Sequence, residues 1–464
     1  MAIERTHHPV MMFLEKTKAS AQFMKEAEHV MPGGVTANIK HFAPYPIVMK
    51  KGSGAYLTDV DGNVYIDYLL AYGALMLGHG HQAIQQAIME QLQQDGTVLF
   101  GAPHELEVTM GKRLQSLYPS MERLRYTNSG TEATLLAIRL AAAYTEKFKI
   151  AKFEGHYHGG YNQVLYSVNP SIEAAGPADE PVALPESMGM TDGEQRDTII
   201  LPFNDLDACE KILRKHKDEI GAVILEPMQG GFIPATESFI KGLRAVTKEL
   251  EMVLIFDEVK TGFRVGLGGA QAIYGVRPDL TALGKVVGGG FPVGVVGGAK
   301  DIMMTSAPRA SADVFDSSQS AKSGAKEVLF HSGTYNGHPM ILAAGLKTIM
   351  TLEEKITSVF SITDTLKEGL EALFSARGIP MKAVGSGSIF SVVLTDREIL
   401  NYRDLQRADL STRKMIDMNL LSEGIYTKPL NRYSLSTAHT SNEIEQTLDA
   451  YDRVLTKLFG GATS

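Results

Sequence analysis

Short apolar runs alternate with amphipathic segments through the first two thirds of the chain. The run "VLIFD", residues 253–257, is apolar up to its final acid. Such a run is typical of a strand that is buried on both faces of a parallel sheet. The preceding segment, residues 237–252, carries its apolar residues at helical spacing. Because this pairing of helix and strand recurs, the sequence predicts an α/β fold with a mostly parallel sheet flanked by helices.

Changes in the pattern of apolar and polar residues along the chain predict three segments. Residues 1–65 form an N-terminal arm and short strands, and residues 66–340 form a large domain. A long helix after about residue 340 opens a second alternating region, so residues 341–464 are predicted to be a small α/β C-terminal domain. Two polar segments, residues 167–195 and 306–327, interrupt the large domain and are predicted to be long loops.

Composition narrows the class of protein. The net charge of the 464 residues is −8, which does not suggest a nucleic-acid partner. The single cysteine, Cys209, cannot form an internal disulfide and fits a reducing cytosol. No apolar run reaches the roughly 18 residues of a membrane helix, and the N-terminus does not resemble a signal peptide. We therefore expect a cytoplasmic protein with no nucleic-acid or membrane partner.

The acid that ends the apolar run, Asp257, requires an explanation, because an unpaired buried carboxylate costs several kcal/mol or becomes protonated. Ligands of open parallel sheets bind at the carboxyl ends of the strands. Another strand end leads into the small-residue turn Ser129, Gly130 and Thr131, which opens a helix. Free N–H groups at a helix N-terminus bind phosphate, although the same turn also fits an ordinary helix cap.

The stretch "FEGHYHGGYN", residues 153–162, follows a further strand. Tyr157 is either a stacking surface for a flat ring or a partly buried core residue. His156 and His158 could form half of a metal site, but no third ligand cluster is evident, so no metal is predicted.

Lys285 precedes the glycine-rich run of "LGKVVGGGFPVG". The order of lysine and glycines excludes a P-loop. Such a lysine is either an exposed surface residue or a buried nucleophile that forms a Schiff base with an aldehyde. A phosphate turn, a ring-stacking tyrosine, the acid Asp257 for a ring nitrogen and an amine for an aldehyde together indicate pyridoxal 5'-phosphate (PLP).

At this point the sequence resembles a known family. The ordered motifs "NSGTEA", "KFEGHYHGG", "FDEVKTGFR" and "LGKVVGGGFPVG" resemble those of class III aminotransferases, which are fold type I PLP enzymes. The stretches "LGHGH" and "LGGAQAIYGVRPDL" are similar to the glutamate-1-semialdehyde aminomutase subgroup. The resemblance extends from about residue 25 to 460. It implies a seven-stranded sheet in the large domain and the reactions of amino-group transfer.

The resemblance also implies roles for single residues. Lys285 would form the Schiff base and carry the proton, Asp257 would pair with the ring nitrogen, and Val259 and Tyr157 would pack on the two ring faces. Ser129, Gly130 and Thr131 would bind the phosphate.

Two further positions complete the implied cofactor site. Glu226 would lie near the hydroxyl group of the cofactor. Thr334, in "HSGTYNG", would reach the phosphate of a neighbouring subunit, which implies a homodimer.

Departures from the aminomutase pattern bear on the reaction. Lys40 stands where the aminomutase has an arginine for the substrate carboxylate, and Gly231 stands where it has an asparagine. These departures favour an intermolecular aminotransferase acting on a small-molecule amino donor and a keto acceptor. The alternatives are the aminomutase itself and a racemase or epimerase on the same scaffold. Lys40, Arg264 and Arg432 are the candidate anchors for the substrate carboxylate.

Two other classes of protein fit the sequence poorly. A nicotinamide oxidoreductase would need a G-x-G-x-x-G between a strand and a helix, and the sequence lacks one. A non-catalytic cofactor-binding regulator would not need Lys285, which is present.

Overall fold

The structure is a computed structural model that describes residues 11–308 and 328–460. These residues form two compact units. The first comprises the chain up to Ala83, Glu354–Ile399 and the chain from Asp404 onward, and the second comprises Ile84–Glu353 and Leu400–Arg403. A compact unit is not by itself a domain, so the predicted limits at residues 65 and 340 stay a prediction. Most of the predicted loop 306–327 lies outside the described residues.

The elements of the described residues are numbered in chain order. The strands are β1 (Met49–Ser53), β2 (Tyr56–Asp59), β3 (Val64–Asp67), β4 (Arg123–Thr127), β5 (Lys149–Phe153), β6 (Thr198–Leu201), β7 (Ile220–Leu225), β8 (Met228–Gln229), β9 (Ile233–Pro234), β10 (Val253–Asp257), β11 (Leu280–Gly284), β12 (Gly294–Gly298), β13 (Lys382–Ser386), β14 (Ile389–Val393), β15 (Ile425–Tyr426) and β16 (Tyr433–Ser434). The helices are α1 (Lys18–Glu28), α2 (Leu70–Gly73), α3 (Gln82–Asp95), α4 (Glu105–Leu117), α5 (Gly130–Thr145), α6 (Asp192–Asp197), α7 (Leu206–Lys215), α8 (Glu237–Glu249), α9 (Gly269–Tyr274), α10 (Lys300–Met304), α11 (Pro339–Ser375), α12 (Tyr402–Gln406), α13 (Leu410–Ser422) and α14 (Ser441–Phe459). Short 3-10 turns occur at Pro32–Gly34, Asn38–Lys40, Asn162–Val164 and Lys285–Gly288.

A seven-stranded sheet forms the centre of the second unit, in the order β4-β12-β11-β10-β7-β5-β6. Strand β12 runs antiparallel to both of its neighbours, and the other pairs are parallel. Every residue of β7 and β10 is buried, which explains why their sequences are continuous apolar runs. The predicted mostly parallel seven-stranded sheet is therefore confirmed. The carboxyl ends of β5, β7, β10 and β11 share one edge of this sheet.

Helix α5 packs its apolar side on this sheet. Leu136, Ala137 and Leu140 belong to a buried cluster with sheet residues that include Ile224 and Ile255. The interior of this helix is rich in alanine and leucine, which favour helix formation. Replacing Leu140 with alanine would leave a cavity at a cost of about 2–5 kcal/mol.

Strands of the first unit form two smaller sheets, β1-β2-β3-β15 and β13-β14-β16. Within the segment "GIYTKP", residues 424–429, only β15 is a strand, and it pairs in parallel with β3 of the N-terminal segment. A buried cluster that includes Tyr68, Leu366 and Phe390 holds N-terminal and C-terminal residues together.

The described helices include none that is both long and apolar enough to cross a bilayer. The predicted polar segment 167–195 is irregular up to α6, whose N-terminus is capped by Thr191.

Candidate active site

Asp257 ends β10 at the carboxyl edge of the sheet, where it is buried. Its Oδ2 atom lies 2.8 Å from Nδ1 of His158, and its Oδ1 atom accepts a 3.0 Å hydrogen bond from the Val259 N–H. His158 is therefore a protein partner of this acid, a role that sequence analysis missed because the two residues are 99 positions apart. A carboxylate can accept about four hydrogen bonds, so Asp257 retains capacity for a further donor such as a ring N–H.

The small-residue turn forms the N-terminus of α5, a helix of 16 residues. Ser129 is the N-cap, and its Oγ atom accepts from the Glu132 N–H at 3.1 Å. The capping interpretation is thus correct for this side chain, while the first-turn N–H groups of the helix have no acceptor within the helix. A Cβ atom on Gly130 would lie 2.7 Å from Cγ1 of Val259, so only glycine allows this approach.

Lys285 directly follows β11 and adopts φ = 53°, a left-handed conformation that is rare for a residue with a side chain. Such a conformation costs about 1–3 kcal/mol and persists where the surroundings enforce it, often at functional sites. A Cβ atom on the preceding Gly284 would lie 3.3 Å from both the Cα atom of Gly130 and Cγ1 of Val259. The backbone that carries the lysine therefore packs against the turn that opens α5.

The stretch after β5 packs on the same helix start. A Cβ atom on Gly159 would lie 2.9 Å from Cγ2 of Thr131. Oγ1 of Thr134 donates a 2.5 Å hydrogen bond to the His158 carbonyl. Tyr157, which directly precedes His158 and Gly159, keeps 41% of its surface exposed, as a stacking surface for a ligand would require. Four predicted stretches therefore converge at one edge of the sheet.

Glu226 lies at the end of β7 and is buried. Its Oε2 atom accepts from the N–H groups of Tyr157, at 3.1 Å, and Gly230, at 3.3 Å. Its Oε1 atom pairs with the ammonium of Lys260. Burial acts to raise the pKa of Glu226, but the Lys260 charge, together with His156 and His158, lowers the pKa to about 2. Glu226 is therefore ionised throughout the physiological pH range.

His156 contacts the backbone of Glu226. Its Nδ1 atom accepts from the Glu226 N–H at 3.0 Å, and burial lowers the pKa of His156 well below its ordinary value. The ring is therefore neutral. In the part of the chain that the structure describes, no group of three or more His, Cys, Asp or Glu residues could hold a metal ion.

The next acid along the chain, Glu258, faces the interior. It is fully buried and accepts from the N–H groups of Ala270 and Gln271, both at 2.9 Å, and from Oγ1 of Thr261 at 2.5 Å. Burial raises the pKa of Glu258. Its contacts hold the loop after β10 against α9, so the role of this residue is structural.

Four further predicted residues differ in their burial and contacts. Lys40 and Arg432 belong to the first unit, where Lys40 donates to Oγ1 of Thr36 at 2.8 Å. Arg264 belongs to the second unit but is fully buried, which favours a structural role over contact with a substrate. Thr334 is exposed on the wall of a cavity of about 470 Å³. The substrate and partner roles of these four residues stay predictions.

The converging residues fit PLP by their chemistry. The N-terminus of a long helix supplies N–H donors for a phosphate, and Asp257 supplies an acceptor for a ring N–H. Tyr157 and Val259 supply packing surfaces, and Lys285 supplies an amine for an aldehyde. Two polar atoms near these residues, Nε2 of His158 and Oε1 of Gln229, are buried and make no hydrogen bond to any described residue. The fold and this set of groups define a PLP-dependent enzyme of amino-group transfer.

The comparison with protein families agrees with this class. The chain belongs to the class III aminotransferases, because the model of that family, aminotransferase class-III, matches residues 38–452. Enzymes of this family depend on PLP, and the structure of a related transaminase contains it.

Individual relatives carry out different amino transfers. Glutamate-1-semialdehyde 2,1-aminomutase 2 of Listeria monocytogenes is 40% identical over 441 residues, which cover 93% of this chain and 97% of the relative. An ω-transaminase from Sphaerobacter thermophilus matches with a TM-score of 0.87 at 35% identity, covering 95% of this chain and 98% of its own. A β-phenylalanine aminotransferase from Variovorax paradoxus matches with a TM-score of 0.85 at 29% identity, covering 100% of this chain and 99% of its own.

Proposed function

We propose that the protein is an intermolecular aminotransferase that moves an amino group between an amino acid or amine and a keto acid. The observation that carries this proposal is the convergence of Lys285, Asp257 and the turn at Ser129–Thr131 at the carboxyl edge of one sheet. An amine, a buried carboxylate and a helix N-terminus are the three groups that a phosphorylated pyridine aldehyde needs.

When bound, the cofactor supplies an aldehyde that takes up the amino group and a ring that withdraws electrons from the substrate carbon. In this proposal the Nζ atom of Lys285 would hold that aldehyde and would carry the proton during the amino transfer. Asp257 keeps the ring nitrogen protonated, and His158 keeps the Asp257 carboxylate in place through the bond to Oδ2.

The remaining residues orient the ligand. The N–H groups at the start of α5, near Ser129, Gly130 and Thr131, hold the phosphate, aided by the helix dipole. Tyr157 and Val259 hold the ring from its two faces. Glu226 lies at the hydroxyl side, where its carboxylate is fixed by backbone donors and by Lys260.

The turn after Glu226 supports intermolecular transfer over the mutase reaction. Gly230 and Gly231 have φ angles of 63° and 85°, a conformation that favours glycine. Gly231 therefore presents no side chain where the resemblance places an asparagine in the aminomutase. A mutase must retain its diamino intermediate, whereas an aminotransferase must release a keto product between its half-reactions. The missing side chain at Gly231 supports the second requirement, because it departs from the aminomutase pattern.

The second candidate is glutamate-1-semialdehyde 2,1-aminomutase, which the 40% identity to the Listeria relative favours. A racemase or epimerase on the same scaffold is a third possibility, with no specific observation in its favour.

One experiment separates the two main candidates. The PLP-loaded protein is mixed with single amino donors without an acceptor, and the released keto acid is measured by mass spectrometry. One equivalent of keto acid per active site, followed by continuous turnover on addition of a second keto acid, is the expected result. Turnover of glutamate-1-semialdehyde without a second substrate, and no keto acid from any donor, would overturn the proposal. The Lys285→Ala variant is the control and should release keto acid more slowly by a factor of about 10²–10⁴.

We also propose a homodimer in which Thr334 reaches the phosphate at the partner's site. The cavity beside Thr334 is lined by residues that include Phe100 and His104, and Phe100, Phe330 and Tyr335 expose much of their apolar surface. An exposed apolar region of this kind is typical of a surface that a second subunit covers.

We further propose that the protein acts in the cytoplasm on small molecules, with no nucleic-acid or membrane partner. Its one cysteine, Cys209, is buried and not in a disulfide.

A further inference from the structure

Lys260 lies beside the ring-stacking tyrosine, Tyr157, and enters the function proposed above only through its contact with Glu226. It follows β10 by three positions, and its side chain is only 13% exposed. The ammonium pairs with Oε1 of Glu226 and lies 5.5 Å from the centroid of the Tyr157 ring, over one face. One lysine therefore contacts two of the residues that are proposed to orient the cofactor.

The contact with Tyr157 constrains which face of that ring is available. A cation over an aromatic face is attracted by the ring quadrupole. Since Lys260 lies over one face, we expect a cofactor ring to stack on the other. The Tyr157 N–H donates to Oε2 of Glu226. Tyr157, Glu226 and Lys260 therefore each contact the other two.

The contact with Glu226 balances charge inside the site. Glu226 is buried, and the titratable groups that face it are Lys260, His156, His158, Lys152 and Tyr157. His156 is neutral because burial lowers its pKa, and Lys152 donates its hydrogen bond to the Tyr166 carbonyl. Lys260 alone forms an ion pair with Glu226 among the described residues.

We propose that Lys260 is a positioning residue of the amino-transfer site: it fixes the Tyr157 ring through one face and neutralises the Glu226 carboxylate beside the cofactor. This inference rests on the proposed roles of Tyr157 and Glu226. Without the lysine, the Glu226 charge would repel the anionic oxygens of PLP, and the Tyr157 ring would lose the support of its covered face.

The test measures PLP binding by apoprotein and does not depend on turnover. The Lys260→Met variant keeps the length of the side chain and removes the charge, and Lys260→Arg keeps the charge. We expect Lys260→Met to raise the Kd for PLP by about tenfold at pH 8, given the usual strength of partly buried cation–π and ion-pair contacts. Lys260→Arg should restore the Kd to within about threefold. Lys241→Met removes an exposed lysine paired with Glu237 and is the matched control.

The pH dependence of the Kd provides a readout that a purely structural effect would not change. Lys260→Met removes the largest interaction that offsets burial, so the pKa of Glu226 should rise. The ratio of the variant Kd to the wild-type Kd should therefore fall as the pH is lowered from 8 to 5, because Glu226 takes up a proton. In the double variant Lys260→Met/Glu226→Gln this ratio should not vary with pH. If Lys260→Met does not fold, Lys260→Gln serves, since it can donate to Glu226 without a charge.

The possible outcomes separate this inference from the proposed function. Unchanged PLP affinity in Lys260→Met, or equal losses in the Met and Arg variants, would overturn the role of Lys260 and leave the aminotransferase proposal intact. Failure of the wild-type protein to bind PLP would overturn both.

Discussion

His158 and Asp257 are buried together, with Nδ1 of the histidine 2.8 Å from Oδ2 of the carboxylate. His158 lies in the loop after β5, Asp257 ends β10, and these two strands lie on either side of β7 in the sheet. The histidine fixes the orientation of the carboxylate that is proposed to hold the cofactor nitrogen.

The first prediction concerns this pair. His158→Gln keeps a donor but not the geometry of the ring, and it should lower kcat/KM for transamination by about tenfold or more. The reason is that a hydrogen bond to a charged group contributes about 1.5–3 kcal/mol. Steady-state kinetics with one donor and one acceptor provide the measurement, and Asp257→Asn gives the size of the loss when the acid itself is removed. A His158→Gln enzyme with wild-type kinetics would exclude a positioning role for the histidine.

The second prediction concerns Lys285. Reduction of the PLP-loaded protein with borohydride should attach the cofactor permanently to the peptide that contains this lysine, as mass spectrometry of a digest would show. Lys285→Ala should abolish the attachment and lower the rate of amino transfer by about 10²–10⁴, the usual contribution of a general acid–base group. Lys300→Ala, which removes an exposed lysine of α10, should change neither result. Attachment of the cofactor at another lysine would show that Lys285 is not the nucleophile.

Much of this site was predictable from local sequence. Asp257 ends a run of apolar residues and was therefore expected at the carboxyl edge of the sheet, and Lys285 was singled out because it precedes a glycine-rich run. Parallel strands end at a common edge whatever their order, and this explains why the prediction needed no tertiary information.

The rest of the site depends on strand order, which local periodicity does not encode. His158 contacts Asp257 only because β5 and β10 both pair with β7. The same limit applies to Arg403, which is remote in sequence but forms an ion pair at 2.8 Å with Glu154 in the second unit. Such contacts are set by the assembly of the whole sheet.

The third prediction tests the close packing at Gly130. Gly130→Ala would place a Cβ atom 2.7 Å from Cγ1 of Val259, so the turn that opens α5 must move. We expect a loss of stability of about 1–3 kcal/mol, typical of overpacking, and weaker PLP binding. Thermal unfolding and PLP titration measure the two effects.

Two further variants serve as controls for that prediction. Gly160→Ala places its Cβ in open space and should have little effect. Adding Val259→Ala to Gly130→Ala should relieve the clash and recover part of the stability. If Gly130→Ala and Gly160→Ala behave alike, the packing of Gly130 on Val259 does not constrain the turn.

The last prediction concerns Lys152, a fully buried lysine of β5 whose Nζ atom donates to the Tyr166 carbonyl at 2.5 Å. Burial lowers the pKa of this lysine to about 7 in the folded protein, whereas an unfolded lysine titrates at its ordinary value of 10.5. Between these pH values the unfolded chain binds more protons than the folded chain, so this lysine makes the free energy of unfolding rise with pH. The slope should approach that of one proton, and Lys152→Met should remove it. Urea denaturation at pH 7, 8.5 and 10 measures the difference, with the exposed Lys211→Met as the control. A Lys152→Met variant whose stability changes with pH as steeply as that of the wild type would show that Lys152 stays charged in the folded protein.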